Sequence, residues 1–264
     1  VERPQPGWAE QDADHIWWRE TVEIINNILT TSGVPPSKVA AVGCSGVCPV
    51  VLPIDKEGNP LRKAILYSID SRSAAQIRYL NEKIGPNRIL KDSGQPLSSQ
   101  SILPKLMWLK EHEPDIWLKT KTILGASGYV AYRLCGAMTI DHFAAADGGF
   151  GYSMGTFSWD EEAFRLAGIN PGVMPRLTWP SEVAGSVSSE AAQVTGLLEG
   201  TPVITGTGDA LAEMISTGVS ECGETALLYG STLTTMTLID QGWTHEGFIT
   251  VPGWKEGQIV TSSV

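Results

Sequence analysis

Basic side chains are in short supply in this chain of 264 residues. Its 19 Lys and Arg stand against 29 Asp and Glu, giving a net charge of -10 and a pI of about 4.9. So acidic a surface argues against nucleic acid and anionic membrane as partners. Phosphate ligands stay open, because backbone N–H groups hold phosphate without any lysine. No apolar run reaches the ~18 residues of a membrane-spanning helix. Cysteine is sparse, at Cys44, Cys48, Cys135 and Cys222, and the first residues, Val1 to Glu10, are polar and contain two prolines. No secretory leader is read there, and reduced thiols in a cytoplasmic protein are expected rather than two disulfides. No second Cys/His pair at ligand spacing follows Cys44-x-x-x-Cys48, and Pro49 stiffens the chain just after it. Two small residues at a buried strand end are expected there, and no metal. Repeats and low-complexity tracts are missing too.

What is present is core material. Hydrophobic residues make up 42% of the chain and charged residues 18%, enough for a sizeable interior in one large domain or two modest ones. Apolar spacing predicts a helix from Asp12 to Leu29, broken by Gly33, Pro35 and Pro36. Strands are expected at Val39 to Cys44, Val50 to Ile54 and Ala64 to Tyr67. Helices follow at Ser73 to Ile84, Pro104 to Glu111, Asp115 to Lys121 and Ala126 to Leu134. Ser158 with Glu161 reads as a capping box opening a helix to Ala167. Ser189 to Thr195 and Ala210 to Ser216 are helical, with strands at Val203 to Thr205, at Thr225 to Tyr229 and then on to Ile239. This alternation means an α/β fold with a mixed sheet flanked by helices.

Ligands of open α/β sheets bind beyond the carboxyl ends of strands. Four such ends carry chemistry: Ser45-Gly46, Ser68 to Arg72, Gly206-Thr207-Gly208-Asp209 and Gly230-Ser231-Thr232. The third is an apolar strand running into a Gly-x-Gly-Asp turn, with a positive φ expected at Gly208. A carboxylate there suits a general base or a Mg²⁺ ligand, and equally a cap on the next helix. A dinucleotide site is disfavoured, since the third glycine of that fingerprint is missing. Gly230-Ser231-Thr232 is either an ordinary hairpin turn or a phosphate-binding loop. His142, next to Asp141, is expected at the surface, and the nine tryptophans are expected in the core.

Together these segments resemble the FGGY family of carbohydrate kinases, both xylulokinase-like and glycerol kinase-like members. The resemblance runs in family order through Pro6-Gly7-Trp8-x-Glu10-Gln11-Asp12, Val42-Gly43-Cys44-Ser45-Gly46 and the block Ala64 to Arg72. It continues through Pro104-Lys105-Leu106-x-Trp108-Leu109, Asp141 with Ala144-Ala145, Ala191 to Asp209, and Tyr229-Gly230-Ser231-Thr232. It implies an actin-like ATPase fold of the RNase H type, and ATP-dependent phosphorylation of a sugar or polyol hydroxyl with Mg²⁺. By the same resemblance Asp209 is the general base, and Gly230, Ser231 and Thr232 hold ATP phosphate. Tyr67, Asp70 and Arg72 are expected to bind the substrate. Residues 1–222 would be the sugar-binding domain without its first phosphate hairpin, and 223–264 the start of a truncated ATP-binding domain. Incomplete at both ends, such a chain is expected not to turn over ATP by itself. Val47-Cys48-Pro49 replaces the polar residues the family often carries there, which leaves xylulose and glycerol both in doubt as substrates. The alternatives are a non-catalytic sugar-binding or regulatory module of the same fold and a phosphate-releasing hydrolase. A homodimer is the one protein partner considered.

Overall fold

A computed structural model describes residues 1–229, 233–240 and 247–263. Gly230, Ser231 and Thr232, the expected phosphate loop, lie outside the described residues. Helices and short strands alternate as the pattern implies, and both parallel and antiparallel pairs occur. Thr207–Gly208 runs parallel to Ser45–Gly46, and an isolated bridge between Val42 and Val203 extends the same alignment towards the strand starts. Thr139–Asp141 runs parallel to Arg176–Thr178. Leu52–Ile54 pairs antiparallel with Thr122–Leu124, and Ala64–Ile65 with Glu10–Gln11. After residue 222 comes an antiparallel sheet in the order Thr225–Tyr229, Leu233–Ile239, Ile259–Ser263, Ile249–Pro252.

Two cores hold the elements that carry the expected site residues. One gathers Ile65, Leu103, Leu106, Leu109 and Phe164 beneath the helix Ile102–His112. The other joins Ala144 of the helix His142–Asp147 to Leu211 and Met214 of the helix Asp209–Ser216, and both to Met236, Val251 and Val260 of the antiparallel sheet. The helix that begins at Asp209 is thus clamped between the two parts of the chain.

Local departures from the expected pattern have local causes. The first helix is two pieces: a π-helical turn Ala13–Trp18, capped by Asp12 accepting from His15 N–H, precedes Arg19–Ser32. Ser158 caps nothing, because Ser158–Trp159 is a strand; Asp160 accepts from Ala163 N–H and opens the helix Glu161–Ala167. Pro86 restarts a helix, Pro86–Ser93, since a first-turn proline needs no N–H. His142 is buried, its Nδ1 2.8 Å from the Tyr152 hydroxyl and its ring 4.3 Å from that of Trp179.

The positive φ in the turn before Asp209 sits at Gly206 (+75°), while Gly208 is extended at φ -65°. A Cβ on Gly206 would lie 1.9 Å from the Cys44 carbonyl oxygen; one on Gly208 would lie 2.9 Å from Cys48 Cβ and 3.2 Å from the Phe143 ring. The first obstacle is backbone in a conformation that L-residues avoid, whereas the second is side chain. Gly206→Ala is therefore expected to cost about 3 kcal/mol, a Tm fall of roughly 6–12 °C. Gly208→Ala should cost less, and Asp209→Asn least. Thermal unfolding followed by circular dichroism checks the order.

Candidate active site

An open cleft of about 470 Å³ runs along the carboxyl end of the Ser45–Gly46 strand. Val47 follows that strand, Leu66 and Tyr67 follow the strand Ala64–Ile65, and Asp209 follows Thr207–Gly208; all line the cleft, facing Trp17 and Thr21. The parallel pairing of Ser45–Gly46 with Thr207–Gly208 brings two of the four expected strand ends side by side. Asp209 is exposed at the cleft and stands at the first position of its helix, with Ala210 N–H donating to Oδ1 at 2.9 Å. It is not the helix cap, a place that Gly208 takes. Loss of surrounding water, with Glu213 adding to it, raises the Asp209 pKa above 3.8, and the Ala210 hydrogen bond opposes the rise.

Behind Asp209 lies a layer of buried acid. Asp141 is 1% exposed, caps the helix His142–Asp147 by accepting from Ala144 N–H at 3.1 Å, and accepts from the Thr207 hydroxyl at 2.8 Å. At the far end of that helix, half-buried Asp147 accepts from Gln100 Nε2 at 3.0 Å. Burial raises both carboxyls to about 7, and for Asp147 the carboxylates of Asp209 and Asp141 add to the effect. The Cys48 thiol is pushed up by burial and then by Asp147, Asp141 and Asp209. A thiol held protonated in this way is packing and not a nucleophile.

Asp70 and Arg72 do not reach the cleft. Asp70 accepts from Ala9 N–H at 2.7 Å, and Arg72 Nη2 reaches Asp70 Oδ2 and Glu10 Oε1, both at 2.8 Å. Both side chains of the Asp70–Arg72 pair are 0% exposed, and the guanidinium lies 4.0 Å from the Trp8 ring centroid and 4.9 Å from that of Trp108. Arg62 continues the network to Glu10 and Glu113. The block after the strand is therefore a buried ion pair. Its two side chains are paired with each other in the interior, away from the residues that line the cleft. Tyr67 alone of the three expected substrate residues faces the cleft.

Residues 1–216 match the model of the N-terminal domain of the FGGY family of carbohydrate kinases. The chain belongs to this family. An autoinducer-2 kinase of Escherichia coli K12 is 29% identical over 229 residues, 86% of this chain and 42% of the relative. A xylulose kinase of Bacillus subtilis is 28% identical over 225 residues, 85% of this chain and 44% of the relative. Among solved structures, a xylulose kinase from Rhodospirillum rubrum superposes with a TM-score of 0.93 at 26% identity, covering 99% of this chain and 53% of that one. A Plasmodium falciparum glycerol kinase with ADP gives 0.89 at 20% identity, a likeness of fold. The fold is the actin-like one of the FGGY kinases, and the chain spans about half the length of these relatives.

Two residues beside the cleft went unread in the sequence. Asp147 had no motif around it. Lys105 lay in the family-like run Pro104 to Leu109, but was given no role, although it is a lone charge inside Ile102-Leu-Pro-Lys-Leu-Met-Trp-Leu109, where apolar residues surround it on every turn. It is 0% exposed, and its Nζ donates to the carbonyls of Leu66 at 2.6 Å and Tyr67 at 3.2 Å. Burial lowers Lys105 to about 7 against the pull of Asp70, and Arg72 lowers it further.

The buried acids give stability a definite slope. Asp141 and Asp147 keep their protons in the folded chain up to about 7, whereas the unfolded chain loses them near 3.8. Their contribution is full below the lower value and is lost as pH rises through the upper one. Asp147→Asn should therefore narrow the difference in Tm between pH 5 and pH 8, which calorimetry at the two pH values measures. An unchanged difference would remove Asp147 from the titration.

Proposed function

We propose that this chain forms the sugar-binding part of a cytoplasmic kinase that transfers the γ-phosphoryl group of ATP to a hydroxyl of a sugar or polyol. The observation that carries it is the place of Asp209. In a family of carbohydrate kinases, it is a carboxylate at the carboxyl end of a parallel strand pair, open to a cleft of sugar size. Asp209 accepts the proton of the substrate hydroxyl as that oxygen bonds to the γ-phosphorus. The bond from the γ-phosphorus to the bridging oxygen breaks, and ADP leaves. Such a transfer needs little covalent help, so positioning does most of the work. Tyr67 supplies an apolar face with a polar tip at the wall of the same cleft, a surface suited to a sugar ring.

We read residues 1–222 as the sugar-binding domain and 223–264 as the beginning of the ATP-binding domain. The shared core of the helix Asp209–Ser216 with the antiparallel sheet fits a nucleotide brought up to Asp209 from that side. Gly230, Ser231 and Thr232 remain the proposed phosphate contacts. Among the described residues no group of three or more His, Cys, Asp or Glu is arranged to hold a metal. Mg²⁺ would enter the site on the phosphates of ATP.

The test is a screen of the complete gene product with ATP and Mg²⁺ against pentuloses, hexuloses and polyols, following ADP release. A kinase releases ADP only with the right sugar; release at the same rate without sugar would mean a hydrolase. Asp209→Asn should lower kcat by roughly 10² to 10⁴ and leave sugar affinity unchanged. Because the base must be ionised and its pKa is raised above 3.8, the acid limb of kcat/KM should lie above the ordinary aspartate range. Near-normal turnover in folded Asp209→Asn would sink the assignment.

A further inference from the structure

The part of the cleft lined by Leu66 and Tyr67 is a backbone problem. Leu66 and Tyr67 follow the two-residue strand Ala64–Ile65, where pairing with Glu10–Gln11 has already ended. One further bond, from Leu66 N–H to the Ala9 carbonyl at 3.0 Å, extends the ladder on the donor side. Strand-end carbonyls buried beyond a ladder need donors from elsewhere. Lys105 supplies them: it crosses from the helix Ile102–His112 and donates to both carbonyls. Asp70 N–H also donates to the Tyr67 carbonyl, at 3.0 Å. Tyr67 is thus gripped by a buried lysine and by the residue whose carboxylate anchors the Arg72 network.

We propose that Lys105 is a positioning residue for the sugar: by holding the Leu66 and Tyr67 carbonyls, it fixes the Tyr67 ring as a wall of the cleft that contains Asp209. A lysine is a costly way to fill this site. Burying an amine uncompensated is unfavourable, and a methionine of similar length would suit an apolar interior. What methionine lacks is a donor at the end of a long stem. The lysine reaches past the core to the strand end, and the same side chain that occupies the interior of the helix sets the cleft surface. Asp70 is the acid that faces it and Arg72 the competing cation. Tyr67 is therefore placed by a buried lysine from a neighbouring helix as well as by the Asp70 N–H of its own loop.

The proposal rests on the kinase reading, and the experiment separates the two. The probe is D-xylulose in the first instance, or whichever panel sugar the wild-type gene product phosphorylates fastest. Lys105→Met should raise the KM for that sugar roughly tenfold and leave kcat within about threefold, the pattern of lost uniform binding. In a Tyr67→Ala background the same substitution should change KM by less than about twofold, because the residue it acts through is already gone. A folded Lys105→Met with wild-type KM overturns the proposal. So does a tenfold effect that persists undiminished in Tyr67→Ala, which would mean a general loss of structure. Should Lys105→Met not fold, the wild-type protein decides: saturating sugar should shift the 15Nζ resonance of Lys105 in the wild type but not in Tyr67→Ala. An unmoved wild-type resonance overturns the proposal. Wild-type protein that phosphorylates none of the panel refutes the kinase reading and takes this proposal with it; working wild type with an indifferent Lys105 refutes this proposal alone.

Discussion

The site depends on one close approach, that of Gly206 to the backbone of Cys44. Gly206 has no Cβ and takes a left-handed φ, so the chain can turn against the Cys44 carbonyl, whose oxygen then accepts from Thr207 N–H at 3.0 Å. That contact seats Thr207–Gly208 beside Ser45–Gly46 in parallel register. The chemistry of the cleft is set by this register. Asp209 lines the same cleft as Val47 and Tyr67, the Thr207 hydroxyl falls within reach of Asp141, and Gly208 leaves room for Cys48 and Phe143. A side chain at residue 206 would separate the two strands and with them the parts of the cleft.

A second constraint holds the other wall. The Asp70–Arg72 pair is out of water, with the Arg72 guanidinium against the rings of Trp8 and Trp108, which meet edge-on, and Glu10 and Arg62 extend it. Buried pairs of this kind are a weak source of net stability, yet removing one partner strands a charge in the interior and costs about 3–5 kcal/mol. The network therefore works as a latch. Ala9, Asp70 and the strand end at Leu66 and Tyr67 are locked to one another, and Lys105 closes the latch from the helix behind.

How much of this could be read in the sequence depends on the range of each interaction. The alternation of elements, the family and the strand-end Asp209 were legible, because each is written in a contiguous segment. The positive φ was legible as a need for glycine but not as a choice between Gly206 and Gly208. That choice is made by Cys44, more than 160 residues away in the chain. Asp70 and Arg72 were expected from the resemblance to bind the substrate, and the structure pairs them with each other in the interior. What placed them inside was Trp8, Trp108 and Glu10 arriving from other segments. The capping box at Ser158 failed for a local reason, since Asp160 two residues on is also a good cap and the strand Ser158–Trp159 takes the serine.

The acids around Asp209 raise the question of how three carboxylates share one end of a sheet. Environment divides them. Asp141 and Asp147 sit where burial raises both to about 7, so near neutral pH each carries its charge only part of the time. Asp209 is exposed at the cleft; partial loss of water still raises its pKa above 3.8, and the Ala210 N–H at the positive end of its helix works the other way. Pairs of like groups pushed apart by their surroundings are how one site keeps a base ionised beside acids that are not. Here the separation is built from burial, which raises Asp141 and Asp147 against the hydrogen bonds from the Ala144 N–H, the Thr207 hydroxyl and the Gln100 amide.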